Sequence, residues 1–342
     1  MSFNRLDPQD FVVSADAVSS TVWSGNQPTL NTFFTSSTQE SGQSGEYYLN
    51  VFNTSSALPN GESQFAIAFG NQTGGGAAAF NPDVNNYSPT TTTYGSYRTL
   101  ILEDENLEFT FGNVTSSYFY AISIERARYK ETLFPGSLNL ILSSSAPSGT
   151  PLVLTDNSQD VTLPQYFGTM RAYQIVSGSN GKAFTGINSQ GYTTEQGSYG
   201  LFLPDIATII LNGLALDITS APEGINLQTG LGVNVASPNA QNLYRAISGS
   251  GAFTLGCQET ITSDYVFVRA RSSEFNYSEN PSFISGSTGE VIYPYFINNP
   301  TVYPTTVGLY NDSNDLLAVA KLSKPIQKDF TKEALIRVKL DF

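Results

Sequence analysis

The stretch Ile336-Arg337-Val338-Lys339-Leu340-Asp341-Phe342 alternates apolar and charged residues without a break. Successive side chains on a strand point to opposite faces. The segment therefore predicts a half-buried strand, with Ile336, Val338, Leu340 and Phe342 on a core and Arg337, Lys339 and Asp341 in water. Such a strand is a natural edge, available for pairing with another chain. The same reading extends backwards. Tyr265 to Arg271, Leu201 to Leu203 and Ile206 to Leu211 read as strands, the last two joined by a tight turn at Pro204-Asp205. Leu138, Leu140 and Leu142 alternate after a turn at Pro135-Gly136, and Asp156-Asn157-Ser158 marks another turn. Tyr118, Tyr120, Ile122 and Ile124 form one face, and Leu107, Phe109 and Phe111 another. Tyr47 to Phe52 and the alternating Phe65, Ile67 and Phe69 complete the series.

Two short helices interrupt it. Ser88-Pro89 and Ser237-Pro238 each pair a capping residue with a proline suited to the first helical turn. Tyr94, Tyr97, Ile101 and Leu102 follow the first at helical spacing, and Leu243, Ala246 and Ile247 follow the second. Residues 1–46 are rich in Ser, Thr, Asn and Gln and read as an arm or loop, anchored by Phe11, Val13 and Trp23. The fold class expected is mainly β: antiparallel, β-sandwich-like modules with a few short helices. The expected organisation is an arm at 1–46, a first β-rich domain at 47–200 and a second at 201–342, ending in an edge strand.

Composition agrees. Charged residues are 13 % of the 342, about half the usual ~25 %. With 22 Phe and 19 Tyr, the chain is too aromatic to be disordered. A net charge of −13 argues against nucleic acid as a partner, because phosphate neutralisation needs clustered Lys and Arg. Basic residues gather only between Lys321 and Lys339, where Asp329 and Glu333 oppose six of them. That stretch is either a solvated surface or an electrostatic seam for an acidic neighbour. Arg126-Ala127-Arg128 and Arg269-Ala270-Arg271 echo each other at strand ends, where both arginines of each pair would share a face. The single cysteine, Cys257, excludes an intrachain disulfide. The start lacks the apolar core of a signal peptide, and the apolar stretch Ile206 to Leu216 is too short and too polar to span a bilayer. A soluble product with no membrane partner is expected.

Catalytic chemistry finds little support. The chain has no histidine, which removes Ser-His-Asp triads, Cys-His pairs and His-containing zinc motifs together. Gly249-Ser250-Gly251 precedes a strand pattern and offers no helix N-terminus to a phosphate. Paired carboxylates could still serve a glycosidase, with Glu103-Asp104-Glu105, Asp156 with Asp160, and Glu195 as candidates. Asp312-Ser313-Asn314-Asp315 lacks the glycine and distal glutamate of an EF-hand and reads as a hairpin turn. Tyr87, Tyr94, Tyr97, Tyr293, Tyr295 and Tyr303 could line a glycan surface or a subunit interface. No catalytic residue, cofactor or metal is expected.

The last part of the chain resembles a known group. Tyr265-Val266-Phe267-Val268-Arg269-Ala270-Arg271, Phe275-Asn276-Tyr277 and Asn280-Pro281-Ser282-Phe283 come first. They are followed by Val307-Gly308-Leu309-Tyr310-Asn311-Asp312, the run Leu317 to Pro325, Lys328-Asp329-Phe330 and Ile336 to Leu340. Together they resemble structural proteins of large contractile-tailed bacteriophages, of the T4-like or jumbo-phage kind. Glu125 to Lys130 and Gly200 to Asn212 match more loosely, and the N-terminal third does not align. The resemblance implies a β-rich virion component of the tail or baseplate, assembled in the host cytoplasm into the particle. Its partners would be other virion proteins and copies of itself, in a homo-oligomer. A capsid or neck position, a glycan-binding adhesin and a virion-associated glycosidase stay open. Interface residues expected are Arg126, Arg128, Arg269, Arg271, Lys321, Lys324, Lys328, Arg337 and Lys339.

Overall fold

The structure, a computed structural model, describes residues 4–35, 48–76, 88–145, 149–184, 189–220, 222–232, 239–278 and 280–341. Tyr47, Tyr87, the Ser237-Pro238 cap, Phe342 and most of the polar run within 1–46 lie outside the described residues. The protein is mainly β, with antiparallel sheets and short helices. In chain order the first strands are β1 (Phe11–Thr21), β2 (Thr29–Leu30), β3 (Phe34–Thr35), β4 (Tyr48–Phe52), β5 (Ser63–Asn71), β6 (Phe109–Phe111), β7 (Val114–Ser116) and β8 (Tyr118–Ile124). Next come β9 (Thr132–Leu133), β10 (Asn139–Leu142), β11 (Leu152–Asp156), β12 (Gln165–Phe167), β13 (Met170–Ser179), β14 (Lys182–Ala183), β15 (Gly200–Leu203) and β16 (Thr208–Asn212). The last are β17 (Phe253–Thr254), β18 (Gly256–Ala270), β19 (Thr306–Tyr310), β20 (Leu316–Lys321) and β21 (Ala334–Asp341). The helices are α1 (Pro89–Leu102), α2 (Gly213–Leu216), α3 (Asn239–Ser250) and α4 (Pro294–Asn298).

The chain divides into two compact units. One comprises Met1–Ala17 with Thr260–Phe342, the other Val18–Glu259. This replaces the boundaries expected at 46/47 and 200/201. Gly200 lies inside a sheet, opposite Ile175 on one neighbour and Leu211 on the other, so no boundary can fall there. The N-terminal segment is no arm either. β1 is an eleven-residue strand, Trp23 is buried in a core, and the supposed anchors Phe11 and Val13 are 50 % and 68 % exposed.

In the unit Val18–Glu259 one sheet runs β2-β17-β10-β11-β13-β15-β16-β8-β5-β4-β3, with β12 and β14 added on β13. Side chains from distant places in that order meet. Phe65 on β5 and Phe253 on β17 have ring centroids 5.5 Å apart, and Trp23 touches both at 6.1 and 4.8 Å. Leu140, Leu154 and Ile175 share this core with Ile67, Ile122 and Leu211. The sheet therefore turns back on itself over one apolar interior, which is the sandwich-like packing that alternation predicts.

β8 is buried on both faces. Tyr118, Tyr120, Ile122 and Ile124 enter the main core, while Phe119 and Ala121 enter a second one with Tyr94, Ile101 and Phe109. α1 covers that second core. Thr92 and Thr93 are poor helix formers, but each donates its hydroxyl to the carbonyl four residues back, at 3.2 and 3.0 Å. Ser88 occupies the N-cap without capping; its hydroxyl donates to Gly74 O instead. α3 buries Leu243, Ala246 and Ile247 as its spacing predicts, and Gly251 (φ 69°) follows it in the left-handed conformation. Leu107 departs from expectation: it precedes β6 and is 52 % exposed, so Phe109 and Phe111 alone hold that face.

In the other unit the order is β1-β18-β21. Eight residues of β18 face eight of β21, from Ser263↔Asp341 to Ala270↔Ala334. The predicted alternation of the last strand holds: Ala334 and Val338 are buried, Ile336 and Leu340 half-buried, and Leu335, Arg337, Lys339 and Asp341 exposed. β19 and β20 form a hairpin, and Asp312-Ser313-Asn314-Asp315 lies in its turn. Asn311 Oδ1 accepts from Ser313 N and Asp315 N at 3.0 and 2.7 Å, and Asn314 is left-handed at φ 65°.

If the aromatic contact holds the sheet closed, Phe253→Ala should lower stability in denaturant titration by about 3–5 kcal/mol. Leu107→Ala should stay within about 0.5 kcal/mol of the parent. Equal effects would mean the core does not sit between those strands.

Candidate interaction surface

The two units differ in how much apolar surface they hide. Among the described residues of Met1–Ala17 and Thr260–Phe342, the apolar cluster has three buried members, Val266, Val307 and Val338, with partly buried Leu6, Val268, Leu309, Ala320, Ile336 and Leu340 around it. Sixteen of the 28 exposed large apolar side chains described lie in this unit, although it holds less than a third of the chain. Scattered exposed leucines are ordinary; a contiguous group of them is what a contact surface would show.

The hairpin shows how the concentration arises. Val307 and Ala320 face each other and join the cluster, so the alternate positions Leu317 and Val319 point the other way. The partner of Val319 across the strands is Gly308, which has no side chain to cover it. Leu317 is 68 % and Val319 59 % exposed. α4 presents a second group: Tyr293, Tyr295 and Ile297 are exposed, with the tyrosine rings 5.5 Å apart. Phe11, Val12 and Val13 on β1 are a third. Among the described residues, β1 and β21 are the outer strands of their sheet, each with β18 as its one named partner. Their outward N–H and C=O groups are the unpaired ladder on which another strand adds.

The basic residues expected at an interface separate into three kinds. Arg269, Arg271, Lys321, Lys324, Arg337 and Lys339 are exposed. Arg337 lies over the Tyr265 ring at 5.3 Å, and Lys339 pairs with Asp341 at 2.9 Å. Arg126 and Arg128 belong to a short 3-10 turn, not to a strand end, because the chain leaves β8 at Glu125. The two Arg-Ala-Arg triplets therefore differ in conformation, and Arg126 and Arg128 do not share a strand face. Arg126 donates to Tyr129 O at 2.8 Å and lies over that ring, and Arg128 pairs with Glu62 at 2.8 Å. Lys328 is fully buried, its Nζ donating to Asn276 Oδ1 at 2.8 Å, so it is no surface contact. Of the tyrosines, Tyr94 and Tyr97 pack on the second core, whereas Tyr293, Tyr295 and Tyr303 are exposed.

The carboxylates considered for catalysis sit in turns, except Asp156, which ends β11. Glu103, Asp104 and Glu105 follow α1 and are exposed, as is Glu195. Asp156 is fully buried, its oxygens accepting from Gly136 N at 2.9 Å and Ser158 N at 3.1 Å, and Asp160 accepts from Ala183 N at 2.7 Å. Both oxygens of Asp156 are spent on turn backbone. A hollow of about 280 Å³ between β5 and α1, lined by Tyr48, Ala66, Ala68, Thr92, Thr93, Ser96, Tyr97 and Ser123, has no carboxylate. A second, of about 240 Å³, has one, Glu108. A glycosidase needs two. Among the described residues no group of three or more His, Cys, Asp or Glu could hold a metal ion, and no helix is long and apolar enough to cross a membrane.

Asp217 escaped the sequence reading, since nothing local marks it. Its Oδ1 accepts from Thr229 N and Oγ1 at 2.9 and 2.8 Å, and its Oδ2 from Tyr118 OH at 3.2 Å. Burial pushes its carboxyl above the ordinary range, against those hydrogen bonds. It ties the end of α2 to residue 229 and, among the described residues, has no second carboxylate in hydrogen-bond contact. No family model, no curated protein and no solved structure matches this chain.

The Asp217 shift fixes a sign. A carboxyl held above its unfolded pKa adds stability that is complete below the unfolded value and disappears as pH rises through the folded one. The stability of the wild type relative to Asp217→Asn should therefore grow as pH falls from neutrality towards about 4. Urea titrations of both across that range check it; a difference that shrinks on acidification contradicts the assignment.

Proposed function

We propose that this chain is a structural subunit of a tailed-bacteriophage particle, of its tail or baseplate, that acts by docking to copies of itself and to other virion proteins. One observation carries the reading: a unit whose described residues include five buried apolar side chains, three of them in one cluster, exposes sixteen large apolar ones, beside two outer strands. Burying such side chains stabilises by about 1.5–3 kcal/mol each, so a surface of this kind gains most of its stability in contact. The resemblance of residues 265–340 to phage structural proteins supports a phage particle, and most of the docking surface, β1 apart, falls in the same residues. The chain carries −13 while the outer strand β21 shows Arg337 and Lys339 on its wet face, which favours an acidic neighbour such as another copy.

The tyrosines around α4 support an adhesin as the second reading, because exposed rings can stack on sugars as well as on protein. Sedimentation of the full chain separates these. Association should strengthen with concentration, and the double variant Leu317→Asp, Val319→Asp should weaken it at least tenfold, about 1.4 kcal/mol. The melting temperature of the dilute monomer should hardly change, because both side chains are exposed there. A chain that stays monomeric at all concentrations, or that binds glycan through Tyr293 and Tyr295, would replace the docking reading.

A further inference from the structure

Lys328 is an anomaly: a fully buried lysine without a carboxylate within ion-pair distance among the described contacts. Buried charges are ordinarily paired, because the desolvation penalty of a lone ammonium is large. Nζ meets two acceptors, Asn276 Oδ1 at 2.8 Å and Ser272 O at 3.4 Å. A neutral amine has two N–H groups, which these occupy, and keeps one lone pair. Burial pushes the Lys328 amine below the ordinary lysine range, with Glu274, Asp329 and Glu333 pulling the other way.

The partner is equally constrained. Asn276 is 7 % exposed, and its Nδ2 donates to Ser272 O at 2.6 Å, the same oxygen that Nζ approaches. The amine and the amide nitrogen thus converge on one carbonyl. Phe275, just before Asn276, has φ 53°, a left-handed conformation that a bulky residue adopts only under strain. The Lys328 backbone is clamped by reciprocal bonds with Val302, at 2.8 and 2.9 Å.

We propose that Lys328 and Asn276 form an intramolecular isopeptide bond. The Nζ lone pair attacks Asn276 Cγ, which lies one carbonyl bond, about 1.2 Å, beyond the oxygen already in contact. The Nζ–Cγ bond forms, the Cγ–Nδ2 bond breaks, and a proton passes from Nζ to Nδ2, which leaves as ammonia. No oxidant, metal or second substrate is needed. The bond would close a loop between residues 52 positions apart in sequence, within the unit whose apolar core is the smaller. Such a staple restricts the unfolded chain as a disulfide does, in a protein whose single cysteine cannot make one.

Intact-mass spectrometry of the purified full chain decides this. The wild type should be lighter than its sequence by one molecule of ammonia, with tryptic peptides 272–321 and 322–332 joined into one species. Asn276→Ala and Lys328→Arg should each carry their full mass. A wild-type mass equal to the sequence overturns the proposal, and that result does not depend on any variant folding. Loss of ammonia without the joined peptide also overturns it, since an asparagine that cyclises on its own backbone loses the same molecule.

Discussion

The aromatic contact of Trp23, Phe65 and Phe253 is the constraint on which the larger unit depends. These residues come from a loop and two strands far apart in the sheet order, and their rings close the sheet over one interior. Each large aromatic buries 150–250 Å², about 4–6 kcal/mol at ~25 cal/mol per Å² as an upper estimate. Once the sheet has turned back, β8 is covered on both faces and α1 and α3 have apolar surfaces to pack on. Tyr118 to Ile124 can then be apolar on both sides of the strand without exposing either.

The unit of Met1–Ala17 and Thr260–Phe342 lacks an equivalent closure. Its strands are well paired, with eight residues of β18 against eight of β21, yet hydrogen bonds between strands contribute little without burial behind them. Exposed Leu317, Val319, Tyr295 and Phe11 leave that burial incomplete. The proposed docking role would fit this division of labour, with one part folding on its own account and the other finished by its neighbours. The buried Lys328–Asn276 pair belongs to the second part, where a covalent tie would matter most.

Much of this was legible in the chain because the period of two is a local property. β21 could be read residue by residue, and so could the helical stripes of Tyr94 and Ile101 and of Leu243 and Ile247. β1 was not legible: Ser14-Ala15-Asp16-Ala17 dilutes its pattern with small residues, and it is a strand because β18 pairs with it. The 200/201 boundary failed for a related reason. Strand pairing is non-local, so nothing near Gly200 reveals that β15 sits between β13 and β16. Identical Arg-Ala-Arg triplets took different conformations because one follows the end of β8 and the other ends a long strand. Lys328 looked like a surface charge, since sequence shows a lysine's charge but not the Asn276 and Ser272 oxygens that fold around it.

The central claim is that one unit is complete and the other is finished by association. Hydrogen exchange of the full chain at low and high protein concentration tests this most directly. Amides of β8, β15 and β16 should be equally protected at both, while those of β1, β20 and β21 should gain protection as concentration rises. Protection of β1, β20 and β21 that already equals the larger unit's in the dilute monomer, and does not change, would contradict the account.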